Sequence, residues 1–253
     1  MKTAVDTRLL FQRYTLQLLR NPVWLFVGFS TPVLYLLLFT PLLKSLPGVK
    51  GFPTGSVLQL FLPGILSLLA FTSGAGAGFN TIFELQSGLI ERLRVTPASR
   101  LAILVGPILS GLLMMTIFDA VVIAIAVGFG FTVHWAGLFI LVVLLWALAT
   151  LMAAFSTATA LVTKDISSFA AIINGMNLPL LLLSGVLLPI ALGPLWLKIL
   201  AHFNPLYYLV VAARALAVGH LSDPAVWQAF VVLIPLCALV LTWATRVFRR
   251  AVA

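Results

Sequence analysis

Residues 136–163 read AGLFILVVLLWALATLMAAFSTATALVT, 28 consecutive residues without a charged side chain. About 20 apolar residues suffice for a helix to cross the hydrocarbon core of a bilayer. A helix is also the form such a run must take there, because lipid offers its backbone amides no other partner. The run stops at Lys164-Asp165, and the Gly-rich stretch Gly128-Phe129-Gly130-Phe131-Thr132-Val133-His134-Trp135 separates it from the apolar residues before it. The whole chain repeats this pattern. Of its 253 residues 62% are hydrophobic and 8% charged, and the mean hydropathy is +1.18. A soluble domain carries about 25% charged residues, so that class is excluded. The reading is an all-α polytopic membrane protein, a single domain over residues 1–253.

Charge-free length counts the other crossings. Residues 21–43 open on Asn21-Pro22, a good helix start, and run to Pro41 and Lys44. After the turn at Phe52-Pro53-Thr54-Gly55 a second run covers Val57 to Phe83, and a third goes from Arg100 to Gly128 with Asp119 inside it. The run from Ala136 is the fourth, and a fifth follows Asp165 to about Pro189. The last covers Ala225 to Thr245 and closes on Arg246, Arg249 and Arg250. That is six spans. Between the fifth and sixth, residues 190–224 are broken by Pro194, Asn204-Pro205, Gly219 and Asp223-Pro224, which predicts two short helices dipping into the interface.

The first twenty residues spread Lys2, Arg8, Arg13 and Arg20 along their length, unlike a signal peptide with its basic start and single apolar block. Wound as a helix, Asp6, Arg13, Gln17 and Arg20 share one stripe flanked by Val5, Leu9, Leu16 and Leu19 on one side and Leu10, Tyr14, Phe11 and Leu18 on the other. Only Arg8 falls outside it. This predicts an interfacial helix over residues 1–20. Placing the N-terminus in the cytoplasm puts Lys2, Arg8, Arg13, Arg20, Arg92, Arg94, Arg100, Lys164, Arg246, Arg249 and Arg250 inside, and leaves Lys44, Lys50, Lys198 and Arg214 outside. Lys and Arg concentrate on the cytoplasmic side, so both termini are expected there.

The net charge of +9 does not indicate nucleic acid, because the basic residues punctuate apolar runs and form no dense solvated face. Cys237 stands alone, which excludes an internal disulfide or a thiolate cluster, and His134, His202 and His220 are too scattered for a metal site. The sequence has no Gly-x-x-x-x-Gly-Lys-Ser/Thr loop, no His-Glu-x-x-His and no Gly-x-Ser-x-Gly, so neither P-loop ATP binding nor the common hydrolytic chemistries are expected in this chain. Transport, scaffolding or sensing remains.

The most informative cytoplasmic segment is Phe83-Glu84-Leu85-Gln86-Ser87-Gly88-Leu89-Ile90-Glu91-Arg92-Leu93-Arg94-Val95-Thr96-Pro97-Ala98-Ser99-Arg100. Gly88 and Pro97 bracket a short amphipathic helix suited to a groove on a partner protein. The segment resembles the type-2 ABC exporter permeases of the daunorubicin-resistance and multidrug branch, whose pattern here is approximately Glu-Arg-Glu-x-Gly-Thr-Leu-Glu-Arg-Leu followed by Thr-Pro. Glu84, Gly88, Glu91, Arg92, Leu93, Thr96, Pro97 and Arg100 match, while Leu85, Gln86 and Leu89 depart. A second match to the same family lies in Ser184-Gly185 with Pro189, Pro194 with Trp196, and Asn204-Pro205-Leu206 with Tyr208. The resemblance covers essentially the whole chain. It implies a subunit that pairs with a second copy of itself or a homologous permease, in the bilayer, and binds two copies of a cytoplasmic ABC ATPase. That ATPase would hold the ATP and Mg²⁺, residues 84–100 would be the coupling loop, the short pieces over residues 190–224 would be re-entrant extracellular helices, and export of small hydrophobic or amphipathic molecules would follow. Lipid-linked polysaccharide is the alternative cargo within the class; a membrane anchor or sensor without transport is the alternative outside it.

Within the spans, Asp119 either attracts a cationic substrate or sits near the outer end of its helix, snorkelling or bonding to a neighbour. Gly74 and Gly78 form a Gly-x-x-x-Gly pair that lets helices approach closely. Pro32, Pro107, Pro179 and Pro235 are expected to kink four spans. Ser167, Asn174, Asn177 and Ser184 fall on one stripe of the fifth span, which either lines the transport pathway or joins two subunits.

Overall fold

A computed structural model describes residues 2–44, 57–89, 100–186, 190 and 193–251. The described residues form nine helices and no strand: α1 Lys2–Leu19, α2 Pro22–Lys44, α3 Val57–Gln86, α4 Arg100–Gly128, α5 Trp135–Thr163, α6 Ile166–Leu182, α7 Leu195–Ala201, α8 Pro205–Val218 and α9 Pro224–Ala251.

Local chemistry sets most of these boundaries. Pro at the first helical position, where no amide hydrogen is needed, begins α2, α8 and α9. Asp165 caps α6 by accepting the Ser168 amide at 2.7 Å, and that bond holds its exposed carboxyl below the usual carboxylate range. α4 ends at Gly128, and Gly130 turns the chain with φ of 97°. The charge-free runs therefore map onto α2, α3, α4, α5 and α9 closely. The fifth run does not: α6 stops at Leu182, seven residues before the expected end, because Gly185 adopts a left-handed φ of 75° and turns the chain out of the helix.

α3 and α5 make the centre of the bundle. Their glycines permit the contact. A Cβ on Gly74 would stand 2.5 Å from the Ala149 carbonyl oxygen and 2.7 Å from Met152 Cβ, so any larger residue would push the helices apart. At the next turn the Gly78 amide donates to Ser156 Oγ at 3.0 Å, and Ser156 Oγ donates to the Ala75 carbonyl at 2.5 Å. α9 packs on the other side of α5, and α4 and α8 lie against α3. α5 and α8 also meet closely, since a Cβ on Gly137 would collide with the Leu216 carbonyl. His134, expected in solvent or the interface, is exposed and donates from Nδ1 to the Ala217 carbonyl at 3.1 Å, resting against Gly219.

At one end of the bundle Leu10 and Tyr14 of α1 form a second apolar cluster with Ala102 and Ile103 of α4, Leu161 of α5 and Phe248 of α9, flanked by Leu85 of α3. A Cβ on Gly106 would lie 2.8 Å from Leu10 Cβ, so α1 sits directly on the α4 backbone. The N-terminal helix is thus docked on the bundle where α3 ends and α4 begins.

Four helical stretches among the described residues are long and apolar enough to cross a membrane: Leu58–Gln86, Val105–Gly128, Trp135–Thr163 and Pro224–Arg249. α7 and α8, bent by 97°, would add a fifth if taken together as one broken span. The remaining two runs counted in the sequence are shorter as apolar helix, Leu25–Leu38 within α2 and the 17 residues of α6. At 1.5 Å per residue, 17 residues reach about 25 Å.

Candidate functional site

The sequence-marked residues of the coupling segment and of the outer motif lie at opposite ends of the bundle. The first group surrounds Glu84. α3 runs to Gln86, and Gly88, with φ of 68°, takes the left-handed turn that a non-glycine residue rarely adopts. The Ser87 and Gly88 amides donate back to Phe83 and Leu85, closing the helix. This leaves Glu84 on the last turn, facing α1. There the Tyr14 hydroxyl is buried beside the Glu84 carboxylate without reaching full hydrogen-bond geometry, and Arg13 supplies the nearby positive charge. Burial first, and the Glu84 charge second, hold the Tyr14 phenol well above its ordinary range. Sequence reading gave Arg13 and Tyr14 no role at this loop, because about seventy positions separate them from Glu84. Glu91, Arg92, Leu93, Thr96 and Pro97 lie outside the described residues; Arg100 begins α4.

The second group is a joint at the opposite end. Ser184 Oγ donates to the Leu181 carbonyl at 2.6 Å and accepts the Val186 amide at 3.2 Å, which stabilises the turn after α6. Asn204 caps α8 by accepting the Leu206 amide at 3.0 Å, and its Nδ2 donates to the Leu180 carbonyl at 2.6 Å. One buried asparagine therefore fixes the start of α8 to the end of α6. Tyr208 Oη donates to the His202 carbonyl at 3.0 Å, tying α8 to the α7 end. Pro194 precedes α7, whose Trp196 is exposed, and Pro189 lies outside the described residues.

Arg214 completes the joint, and its role there was not read from the sequence. Its Nε donates to the Leu60 carbonyl at 3.2 Å, and its Nη2 to the Gly185 carbonyl at 2.6 Å and the Val186 carbonyl at 3.3 Å. One guanidinium so joins α8, the first turn of α3 and the turn after α6. Gly64 lets the pieces close, because a Cβ there would be 2.7 Å from the Val186 oxygen. Hydrogen bonds from a charged donor contribute roughly 1.5–3 kcal/mol each, with strong non-additivity. Arg214→Met is expected to cost about 2–4 kcal/mol in a detergent unfolding titration. Hydrogen exchange at Val186 and in the first turn of α8 should speed up before exchange in α5 does; equal protection in both proteins would refute the staple.

The family model for the ABC-2 type transporter matches residues 5–218. The chain belongs to that family. It is also 31% identical over 210 residues to a protein named as a transport permease, ycf38, of Cyanophora paradoxa, covering 82% of this chain and 72% of that one. Proteins of the same name from Porphyra purpurea and Pyropia yezoensis are each 29% identical, over 210 and 220 residues, covering 81% and 83% of this chain and 71% and 73% of theirs. The chain is a multi-pass ABC-2 membrane transport permease.

The residues considered for a pathway in this permease are dispersed. In α6, Ser167 and Asn174 are exposed and Asn177 is half-buried with its Oδ1 unbonded, while Ser184 lies past the helix end, buried in the joint. Only Phe169 and Ile173 of α6 are buried, with Phe169 set edge-on to Phe79 of α3 at 4.8 Å between ring centroids. Asp119 is 3% exposed and its Oδ1 has no hydrogen-bond partner among the described residues, so it neither snorkels nor bonds to a neighbour through that atom.

Proposed function

We propose that this permease is the membrane subunit of an ATP-driven exporter that moves small hydrophobic or amphipathic compounds out across the cytoplasmic membrane. The observation that carries the reading is the setting of Glu84 and Gly88. They open the one segment that matches an exporter coupling loop, at the end of the bundle where α1, α3, α4, α5 and α9 meet, so a push on that segment bears on five helices at once. ATP and Mg²⁺ belong to a separate ABC ATPase, two copies of which engage residues 84–100 of a permease pair. The pair forms from a second copy or a homologous permease, and the sparsely covered α6, with Asn174 and Asn177, faces either that partner or the pathway. Six crossings result when α2 and α6 each span and the bent pair α7 and α8 re-enters from outside. α1 then lies in the inner interface.

The arrangement is tested by topology and by partner capture. A tag at either terminus should be shielded in intact cells, whereas one inserted near Lys50 or at His202 should react with an impermeant reagent. The permease should also co-purify with a soluble ABC ATPase. A reactive C-terminal tag would break the six-span arrangement, and a chain that purifies without any ATPase while still moving substrate would remove the ATP-driven reading.

A further inference from the structure

α1 buries one face and leaves the other open. Leu10 and Tyr14 are buried on the bundle, while Arg13, Leu16, Gln17, Leu19 and Arg20 are exposed. Arg13, Leu16, Gln17, Arg20 and Asn21 line an open cleft of about 600 Å³ at the elbow between α1 and α2. The two arginines are seven residues apart, two helical turns, and so share one face about 10 Å apart along the axis. No Asp or Glu occurs between Thr7 and Phe83. Arg13 shares the field of Glu84, and Arg20 is exposed. Leu16 and Leu19, with Val23 and Phe26 of α2, extend an exposed apolar surface from the same elbow.

A concave site with two cations, an amide and an adjoining apolar track has the chemistry of an anionic phospholipid: phosphate at the guanidinium groups, acyl chains along the leucines, Val23 and Phe26. We infer that the α1–α2 elbow is a binding site for one anionic phospholipid of the leaflet against which α1 lies. The inference rests on the interfacial placement of α1 proposed above. A lipid held there steadies the helix that presents Tyr14 to Glu84, so the bilayer would act on the coupling end. Binding should fall with salt, as expected of cations that attract anionic lipid near a membrane surface.

The test uses the purified full-length permease, delipidated in detergent and titrated with phosphatidylglycerol or phosphatidylcholine, with bound lipid counted by native mass spectrometry. One phosphatidylglycerol should bind at least about tenfold more tightly than phosphatidylcholine, and Arg13→Gln with Arg20→Gln should lower its affinity about 30-fold. Arg20→Gln alone should lower it about fivefold, which keeps the test available if the double variant folds poorly. Arg246→Gln with Arg249→Gln removes equal charge from exposed positions at the end of α9 and should leave the binding unchanged. Equal affinity for the two lipids, or an equal loss in the α9 variant, would overturn the site. Displacement of the lipid by millimolar inorganic phosphate would assign the cleft to free phosphate instead. A nitroxide on Leu16→Cys, in a Cys237→Ala background, in phosphatidylcholine vesicles reports the depth of α1 separately: a label in water defeats the interfacial placement, while a label in lipid without headgroup preference defeats only the lipid site.

Discussion

Gly78→Leu should strongly destabilise the bundle, whereas Gly76→Leu, two residues away on the same helix, should leave it intact. A Cβ on Gly78 would stand 2.5 Å from Ser156 Oγ and collide with the Phe169 ring, which is fully buried and cannot swing aside. The same substitution would force apart the Gly78 amide and Ser156 Oγ, whose bond joins α3 to α5. Overpacking a filled core typically costs 1–3 kcal/mol, and a branched side chain placed against an immovable ring and a paired hydroxyl should reach about 3 kcal/mol or more. Gly76 has nothing within 4 Å of a built Cβ. Gly76→Leu should therefore change stability by less than about 0.5 kcal/mol. Thermal melts of both variants in one detergent give the comparison. Similar melting temperatures would show that α3 and α5 do not meet at Gly78.

The second large effect is functional. Glu91→Lys and Arg92→Glu should each abolish transport while the partner ATPase continues to hydrolyse ATP. Reversing a charge on a short amphipathic segment does not disturb a buried core, but it places like charges where a protein partner expects opposite ones, a mismatch that costs several kcal/mol at an interface. Turnover and transport are measured on the same proteoliposomes, so loss of one with retention of the other identifies a coupling defect. Wild-type transport in both variants would remove residues 84–100 from the coupling path.

Much of the fold can be read from the chain because membrane helices obey a one-dimensional rule. The charges at Lys44, Arg100, Lys164 and Arg246 and the glycines at Gly128 and Gly130 interrupt apolar runs, and four of the helices follow those interruptions to within a few residues. α6 escapes the rule because leucines continue on both sides of Gly185, so composition does not show where the helix stops; the left-handed turn does. The joint was only half visible. Ser184, Gly185, Asn204 and Pro205 stand out through their resemblance to a family pattern, and their capping roles follow from ordinary side-chain chemistry. Arg214 does not stand out, since its partners at Leu60, Gly185 and Val186 are backbone carbonyls that carry no sequence signal. The same limit applies to Arg13 and Tyr14, which reach Glu84 only after α1 folds onto α4. Asp119 illustrates the converse: its type and position are plain, but its burial without a bond at Oδ1 depends on how neighbouring helices pack.

On the function proposed above, this permease moves its substrate only when a separate ATPase drives it. The direct measurement is uptake of a fluorescent amphipathic cation into inside-out proteoliposomes containing the permease with its co-purified ATPase, the permease alone, or the ATPase alone. Uptake that needs both proteins and ATP, and that stops when ATP is replaced by a non-hydrolysable analogue, is the predicted result. Uptake by the permease alone at the same rate with or without ATP would contradict it.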